Sequence, residues 1–219
     1  MNKISLIGLI TLFCSTNVSA ADITIHVSAL VEPPSCSINL TNSVINLGTY
    51  IVANMNTQDA TRLPDQNTQL SIISCPGSAA PGILIKDLNS GTAMAAKIPL
   101  GSALTQSDLL GLGLFKNKPV GAWAIMIDNM GITVDNGTGV SVLSATDSSN
   151  PTWIKSTGNW QIVSPDNTTV YAFGTSSPQN LTTLTVPLKI SSAINAMSEL
   201  NVTDKMEFSG TAEITLKYY

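Results

Sequence analysis

An all-β fold is what this sequence predicts, and three features carry the expectation. Apolar side chains recur at every second position through most of the apolar segments, the period of a strand with one buried face. Turn-forming residues stand between those segments, at Pro76-Gly77, Pro81-Gly82, Asn89-Ser90-Gly91, Asp135-Asn136-Gly137 and Ser164-Pro165-Asp166-Asn167. The composition, 43% hydrophobic with only 11% charged residues, can fill a core and does not read as a disordered chain. Many short strands punctuated in this way indicate a sandwich or a barrel.

The first strand pattern sets Ile23, Ile25, Val27, Ala29 and Val31 against Asp22, Thr24, His26, Ser28 and Leu30, with Leu30 the one break in alternation. Pro33-Pro34 stops or bends the chain just before Cys36. Further strands are expected over Val44–Leu47, Leu70–Cys75, Ile83–Lys86, Leu112–Phe115, Ala122–Ile127, Thr169–Phe173 and Leu184–Ile190. Ser141–Asn159 is rich in Ser, Thr and Asn and reads as a long surface loop, while Asp108–Leu114 and Ala193–Leu200 read as short helical turns. The final segment alternates most cleanly. Phe208, Gly210, Ala212, Ile214, Leu216 and Tyr218 share one face, and Ser209, Thr211, Glu213, Thr215 and Lys217 share the other. Both this strand and Ile23–Val31 have strong apolar faces at the ends of the chain. They either lie in the chain's own sheets, or the last strand borders a gap that a partner's first strand fills. Periodicity does not choose between the two.

Residues 1–20 read as a signal peptide: Lys3 is the positive flank, Ile4–Cys14 the apolar stretch and Val18-Ser19-Ala20 the cleavage site. The apolar stretch is too short to span a bilayer. A lipoprotein reading of Cys14 is disfavoured by bulky Phe13 before it. Removal of the signal leaves about 200 residues, enough for one sizeable domain. It also leaves Cys36 and Cys75 as the two cysteines of an exported chain. Pairing in the oxidising compartment is the simplest expectation, with two buried free thiols as the alternative.

Ten basic against 14 acidic residues, with no basic cluster, argue against nucleic acid as a partner. The single histidine, His26, sits on the polar face of the first strand, so no nucleophile–histidine arrangement is available. Asp65, Asp87, Asp108 and Asp128 are scattered singly, without metal-ligand spacing or an evident acid–base pair. Gly111-Leu112-Gly113 lacks the lysine and helix start of a phosphate loop. The expectation is therefore a non-enzyme without cofactor or metal. Asn39, Asn136, Asn167, Asn180 and Asn201 each fall in an Asn-x-Ser/Thr frame, which chance explains in a chain so rich in Asn and Thr.

Several stretches resemble the chaperone–usher pilus (fimbrial) subunits of Gram-negative bacteria. The alternating segment before Cys36, Val44-Ile45-Asn46-Leu47-Gly48, Gln69–Cys75, Val120–Asp128 and Phe208–Tyr219 with its penultimate Tyr218 are similar to that family's motifs. Val186–Ile190 followed by Phe208–Leu216 looks closest to the beta-fimbriae major-subunit group. The resemblance implies an incomplete immunoglobulin-like β-sandwich, the pilin fold, completed by a donor strand from another subunit. It implies a signal peptide over 1–20, a donor-strand extension over 21–35 and a pilin domain over 36–219. Ile23, Ile25, Val27, Ala29 and Val31 would be the donor face. Phe208, Gly210, Ala212, Ile214, Leu216 and Tyr218 would line the acceptor groove and meet the chaperone.

The implied partners are a periplasmic pilus chaperone, an outer-membrane usher and neighbouring subunits in a homopolymer, with a host-surface receptor left open. The implied destination is the cell-surface fimbrium, reached through the periplasm, in support of cell adhesion. Two departures stand out. Ala29 stands where many members carry glycine, and Gly210 lies nearer the end than the family's usual glycine, so that glycine's role does not transfer. The competing reading is a fimbrial tip adhesin or a secreted carbohydrate-binding sandwich module. Its support is Trp153 and Trp160 in or beside the polar loop, whereas Trp123 fits core packing. A tip adhesin would carry a receptor domain ahead of the pilin domain, where only the signal peptide is expected.

Overall fold

The computed structural model describes residues 35–75, 79–94, 104–135, 137, 139–203 and 205–219. The segments read as the signal peptide and the donor strand lie outside these residues. Period-two alternation becomes pairing in two antiparallel sheets. The strands run β1 (Ser37–Leu40), β2 (Thr61–Arg62), β3 (Gln66–Ile73), β4 (Pro81–Asp87), β5 (Leu110–Gly111), β6 (Leu114–Phe115), β7 (Lys118–Pro119) and β8 (Gly121–Asp128). They continue as β9 (Thr133–Val134), β10 (Ser141–Thr146), β11 (Ile154–Lys155), β12 (Trp160–Ile162), β13 (Asp166–Gly174), β14 (Leu184–Ile194) and β15 (Ala212–Tyr218). One short helix, α1 (Met197–Leu200), follows β14.

The first sheet has the order β1-β3-β14-β8-β12, with β2, β5 and β9 attached along its sides. The second has the order β11-β10-β13-β4-β15. Their inner faces share one core. Leu70 and Ile72 of β3, Ile125 and Ile127 of β8, and Leu184, Val186, Leu188 and Ile190 of β14 meet Ile83 and Ile85 of β4 and Tyr171 and Phe173 of β13. Two sheets packed by their apolar faces make a sandwich, the all-β class that the alternation predicts. Cys36 and Cys75 are joined by a disulfide with Cα atoms 4.3 Å apart, which ties the start of β1 to the end of β3.

Several expected elements form with different bounds. Val44–Leu47 keeps its alternation, with Ile45 and Leu47 half-buried and Val44 and Asn46 exposed, but it joins no ladder. The chain leaves β3 just after the backbone bond from Thr41 N–H to Gln69 O. The Gly48 N–H then donates to Asn46 Oδ1 at 2.8 Å, and Gly48 takes a φ of +95°, so an Asx turn redirects the backbone. Ser141–Asn159 is not one long loop, since β10 and β11 lie inside it. β10 buries Val142, Leu143 and Ala145 and pairs along β13 from Ser141 to Thr146, so its serines and threonine are strand residues between apolar ones. Leu112–Phe115 is split. Lys116 and Asn117 both have positive φ and make a two-residue hairpin turn between β6 and β7. Asp108–Leu114 is not a helical turn: a 3-10 turn stands just before it at Gln106–Asp108, closed by a capping box of Thr105 and Asp108, and β5 and the start of β6 fill the range. The last ladder starts at Ala212, and Phe208–Thr211 leads into it without pairing in register.

Candidate functional site

β15 is an edge strand. It pairs with β4 from Ala212↔Asp87 to Tyr218↔Pro81, and among the described residues its other edge has no strand partner. Burial along Phe208–Leu216 alternates as the sequence predicts: Phe208, Gly210, Ala212, Ile214 and Leu216 are the more covered residues, and those between them are exposed. Tyr218 is 38% exposed. The covered set is only half-buried, however, whereas Ile83 and Ile85 of the adjoining β4 are fully buried. The inward face of the edge strand therefore packs on the core through Ala212, Ile214 and Leu216 and is open to a groove along Phe208–Ile214.

That groove has a volume of about 1090 Å³ and runs between Phe208–Ile214 and the strand-less segment Asn42–Tyr50. Its floor is formed by Trp123, Ile125, Leu188, Ile190, Ser192 and Ile194, which belong to the inner rows of β8 and β14. At one end it reaches a second apolar cluster of Leu63, Ile194, Met197 and Leu200, with Leu47, Tyr50, Met55, Met206 and Phe208 packed on it. An apolar trough beside an unpaired strand edge has the chemistry to take an extended segment. The edge offers backbone donors and acceptors, and the trough accepts alternate apolar side chains.

Two polar groups interrupt the floor. Thr68, nearly buried, both accepts from Asn42 N–H and donates to Asn42 O at 3.2 Å, and so holds the far wall. Ser192 is 1% exposed, and its Oγ has no hydrogen-bond partner among the described residues. Trp123 donates from Nε1 to Gly111 O at 3.0 Å. The indole occupies the space where a side chain at position 210 would stand. A Cβ on Gly210 would overlap Trp123 Nε1 and approach Gly111 O to 2.6 Å. Gly210 thus serves close packing, a role that needs the fold to be seen. Only its place in the alternating row was visible in the sequence.

The far end of β15 is pinned by side chains. Tyr218 Oη accepts the Cys36 N–H at 2.7 Å, which ties the strand to the disulfide. Tyr219 donates its hydroxyl to Asp147 Oδ1 at 2.7 Å and its N–H to Ala80 O at 3.1 Å. Lys217 pairs with Asp147 Oδ2 at 3.0 Å. The Tyr219 bond and then the Lys217 bond hold the Asp147 carboxyl below the usual range. Burial, helped by Asp147, pushes the Tyr219 hydroxyl up. Trp153 meets the Tyr219 ring edge-on at 5.1 Å and packs on Leu84, Ala145 and Val170, so this indole is a structural support. Trp160 is 42% exposed, and the Lys189 ammonium lies 4.0 Å from its ring centroid.

The acidic residues singled out in the sequence hold backbone or neighbouring side chains. Asp65 pairs with Arg62 at 2.9 Å and accepts from Ser191 at 2.8 Å. Its burial favours the neutral form, but the Arg62 and Ser191 bonds outweigh that and keep the carboxyl low. Asp87 accepts from Gly111 N–H and Asn89 N–H, Asp108 from Thr105 and Ser164, and Asp128 from Met130 N–H. The structure does not bring the four together.

No family model matches the chain. A protein of Escherichia coli K12, "Uncharacterized protein YhcF", is 28% identical over 244 residues and covers 100% of both chains. Among solved structures, the P pilus rod subunit PapA is similar at a TM-score of 0.37 and 12% identity, over 84% of this chain and 99% of that one. A subunit from a chaperone–usher pilus structure is similar at a TM-score of 0.35 and 11% identity, over 94% of this chain and 100% of that one.

Proposed function

We infer that this chain is a structural subunit of a chaperone–usher fimbria and polymerises by strand donation, the N-terminal segment of one copy entering the groove of the next. The observation that carries the reading is the groove itself: an apolar trough beside β15, whose outer edge has no strand partner among the described residues. Such an edge exposes backbone groups and apolar side chains together, a state that invites strand addition or aggregation. The occupant that fits is the segment Ile23–Val31 of a second copy. Its nine residues set five apolar side chains on one face, with Leu30 the one break in alternation, and Phe208–Leu216 offers nine residues with five inward positions. Every strand pair in both sheets is antiparallel, so a strand added at β15 continues the pattern by running antiparallel to it.

Each large apolar side chain buried contributes roughly 1.5–3 kcal/mol, so the set offers on the order of 10 kcal/mol before ordering costs. Before assembly the same groove needs another occupant, the role of a periplasmic chaperone, with an outer-membrane usher as the site of exchange. The fibre would be displayed on the cell surface in support of adhesion.

Val27→Asp tests the reading. The substitution would bury an unpaired charge at the centre of the donor face, a cost of several kcal/mol. The mutant should fold with its own groove intact yet fail to donate, whereas His26→Ala, on the polar face, should assemble normally. Electron microscopy of cells and a heat-resistant ladder on gels report the outcome. Val27→Asp fibres as long and as stable as wild type would remove the donor assignment.

A further inference from the structure

Ile23–Val31 and Phe208–Leu216 each carry five apolar positions at period two. A slip of one residue between them turns the wrong face inward, but a slip of two does not. Something besides the apolar faces has to choose among registers two residues apart. The solvent-facing row of β15 and its lead-in carries two charges, Glu213 and Lys217, among Ser209, Thr211 and Thr215. Lys217 is held by Asp147 at 3.0 Å, whereas Glu213 is exposed and makes no ion pair among the described residues. Glu213 stands opposite exposed Lys86 in the β15–β4 ladder, and Lys86 stands opposite Asp166 of β13, whose carboxyl is taken by Thr168 and Thr169. Charge thus alternates across three neighbouring strands, and the row ends on a carboxylate at an edge with no strand partner among the described residues. A cation on the next strand would continue it.

We propose that Glu213 is a specificity-determining residue of the edge, which meets the imidazolium of His26 on the incoming strand, fixes its register and makes strand donation stronger at mildly acid pH. The proposal rests on the strand-donation reading above, with the N-terminal segment of a second copy as the occupant. Antiparallel pairing that sets Ile23 against Leu216 and Val31 against Phe208 sets His26 against Glu213 and Asp22 against Lys217. Both pairs are of opposite sign. A slip of two residues moves His26 to Thr215 or to Thr211, and in neither case does a charge within Asp22–Ser28 meet its opposite. Glu32, beyond the apolar row, falls opposite Glu207, which Lys205 neutralises. Histidine is protonated below about pH 6.5 and glutamate ionised above about pH 4.3, so the pair forms as pH falls through the histidine range and is lost below the carboxylate range. The far wall of the groove, Asn42–Tyr50, contains no charged residue. Lys86 lies two strand spacings from His26, about 10 Å, where salt screens its repulsion. At neutral pH the imidazole is mostly uncharged, so His26→Ala leaves assembly there unchanged.

The test is a peptide competition on the full mature chain, refolded with a fluorescent peptide of residues 21–35 in its groove, in wild-type and Glu213→Gln forms at pH 5.5 and 7.5. Competitors are the same peptide unlabelled, its His26→Gln variant and a variant in which His26 and Ser28 are exchanged. On wild type at pH 5.5 the parent should compete about two- to fivefold better than His26→Gln, the gain expected of one exposed cross-strand charge pair. At pH 7.5 the two should compete nearly equally. On Glu213→Gln the advantage at pH 5.5 should vanish. The exchanged peptide keeps the composition and the apolar face but moves the imidazole to the level of Thr211, so it should match His26→Gln on both chains. A thermal melt establishes that Glu213→Gln folds. An equal advantage of the parent on both chains, or an exchanged peptide as good as the parent, would overturn the pairing of His26 with Glu213 and leave strand donation standing. Failure of the labelled parent peptide to bind either chain would overturn both.

Discussion

Replacing Gly210 with alanine isolates the contact on which the shape of the groove depends. Gly210 does not have a positive φ, so alanine suffers no backbone penalty there. In an ordinary extended segment the change would stabilise by roughly 0.5–1 kcal/mol through the loss of glycine's unfolded-state freedom. The structure predicts the opposite sign. The new Cβ overlaps Trp123 Nε1, lies 3.0 Å from Trp123 Cε2 and 2.6 Å from Gly111 O, and the last of these is backbone that cannot swing away. The indole must shift, and its bond to Gly111 O is lost. Overpacking of this kind costs about 1–3 kcal/mol, and an indole N–H left unpaired about 1–3 kcal/mol more. After the entropic gain is set against them, a net loss of about 2–4 kcal/mol is expected, or roughly 5–15 °C in melting temperature for a domain of this size. Urea unfolding followed by circular dichroism measures it. The partner is identified by repeating the substitution on Trp123→Phe, whose smaller ring leaves room for the methyl. There the cost of Gly210→Ala should fall by at least about 1 kcal/mol. An unchanged cost on the two backgrounds, or a stabilised Gly210→Ala, would refute the packing argument.

Two further outcomes follow from the same structure. Asp147 has its carboxyl held low by Tyr219 and Lys217, so its contribution to stability is present above the ordinary carboxylate range and is lost as pH falls through the lowered value. Asp147→Asn should therefore lower the melting temperature at neutral pH and flatten the acid limb of the stability curve, with no added effect at the acid end. Removing the disulfide with Cys36→Ala and Cys75→Ala releases a closed loop of 39 positions. The loss should be about 3–4 kcal/mol, read as a lower urea midpoint of the double variant against the oxidised parent.

Most strands were legible in the sequence because one face of each is buried, and alternation is the direct imprint of that. The row from Phe208 to Leu216 was readable for this reason, and the pairing of Cys36 with Cys75 was readable from the cysteine count once residues 1–20 are read as a signal peptide. Val44–Leu47 misled because alternation reports which side chains face inward, and Ile45 and Leu47 do so. It says nothing of whether a neighbouring strand is there to complete the ladder. β10 was hidden by its composition. Ser141, Ser144 and Thr146 look like loop residues until Val142, Leu143 and Ala145 between them are seen to be interior.

What the sequence determined by itself is local: the faces of the strands, the turns and the cysteine pair. These depend on neighbours a few positions away or on simple counts. Only the tertiary structure decided that β15 has no second strand partner among the described residues, that the segment after Thr41 leaves the sheet, and that a groove runs between the two. The same holds for the meeting of Gly210, Trp123 and Ser192, and of Asp147 with Lys217 and Tyr219. Those residues lie tens of positions apart in the chain. Their contact is set by strand order and by the closure of one sheet on the other, which no local period encodes.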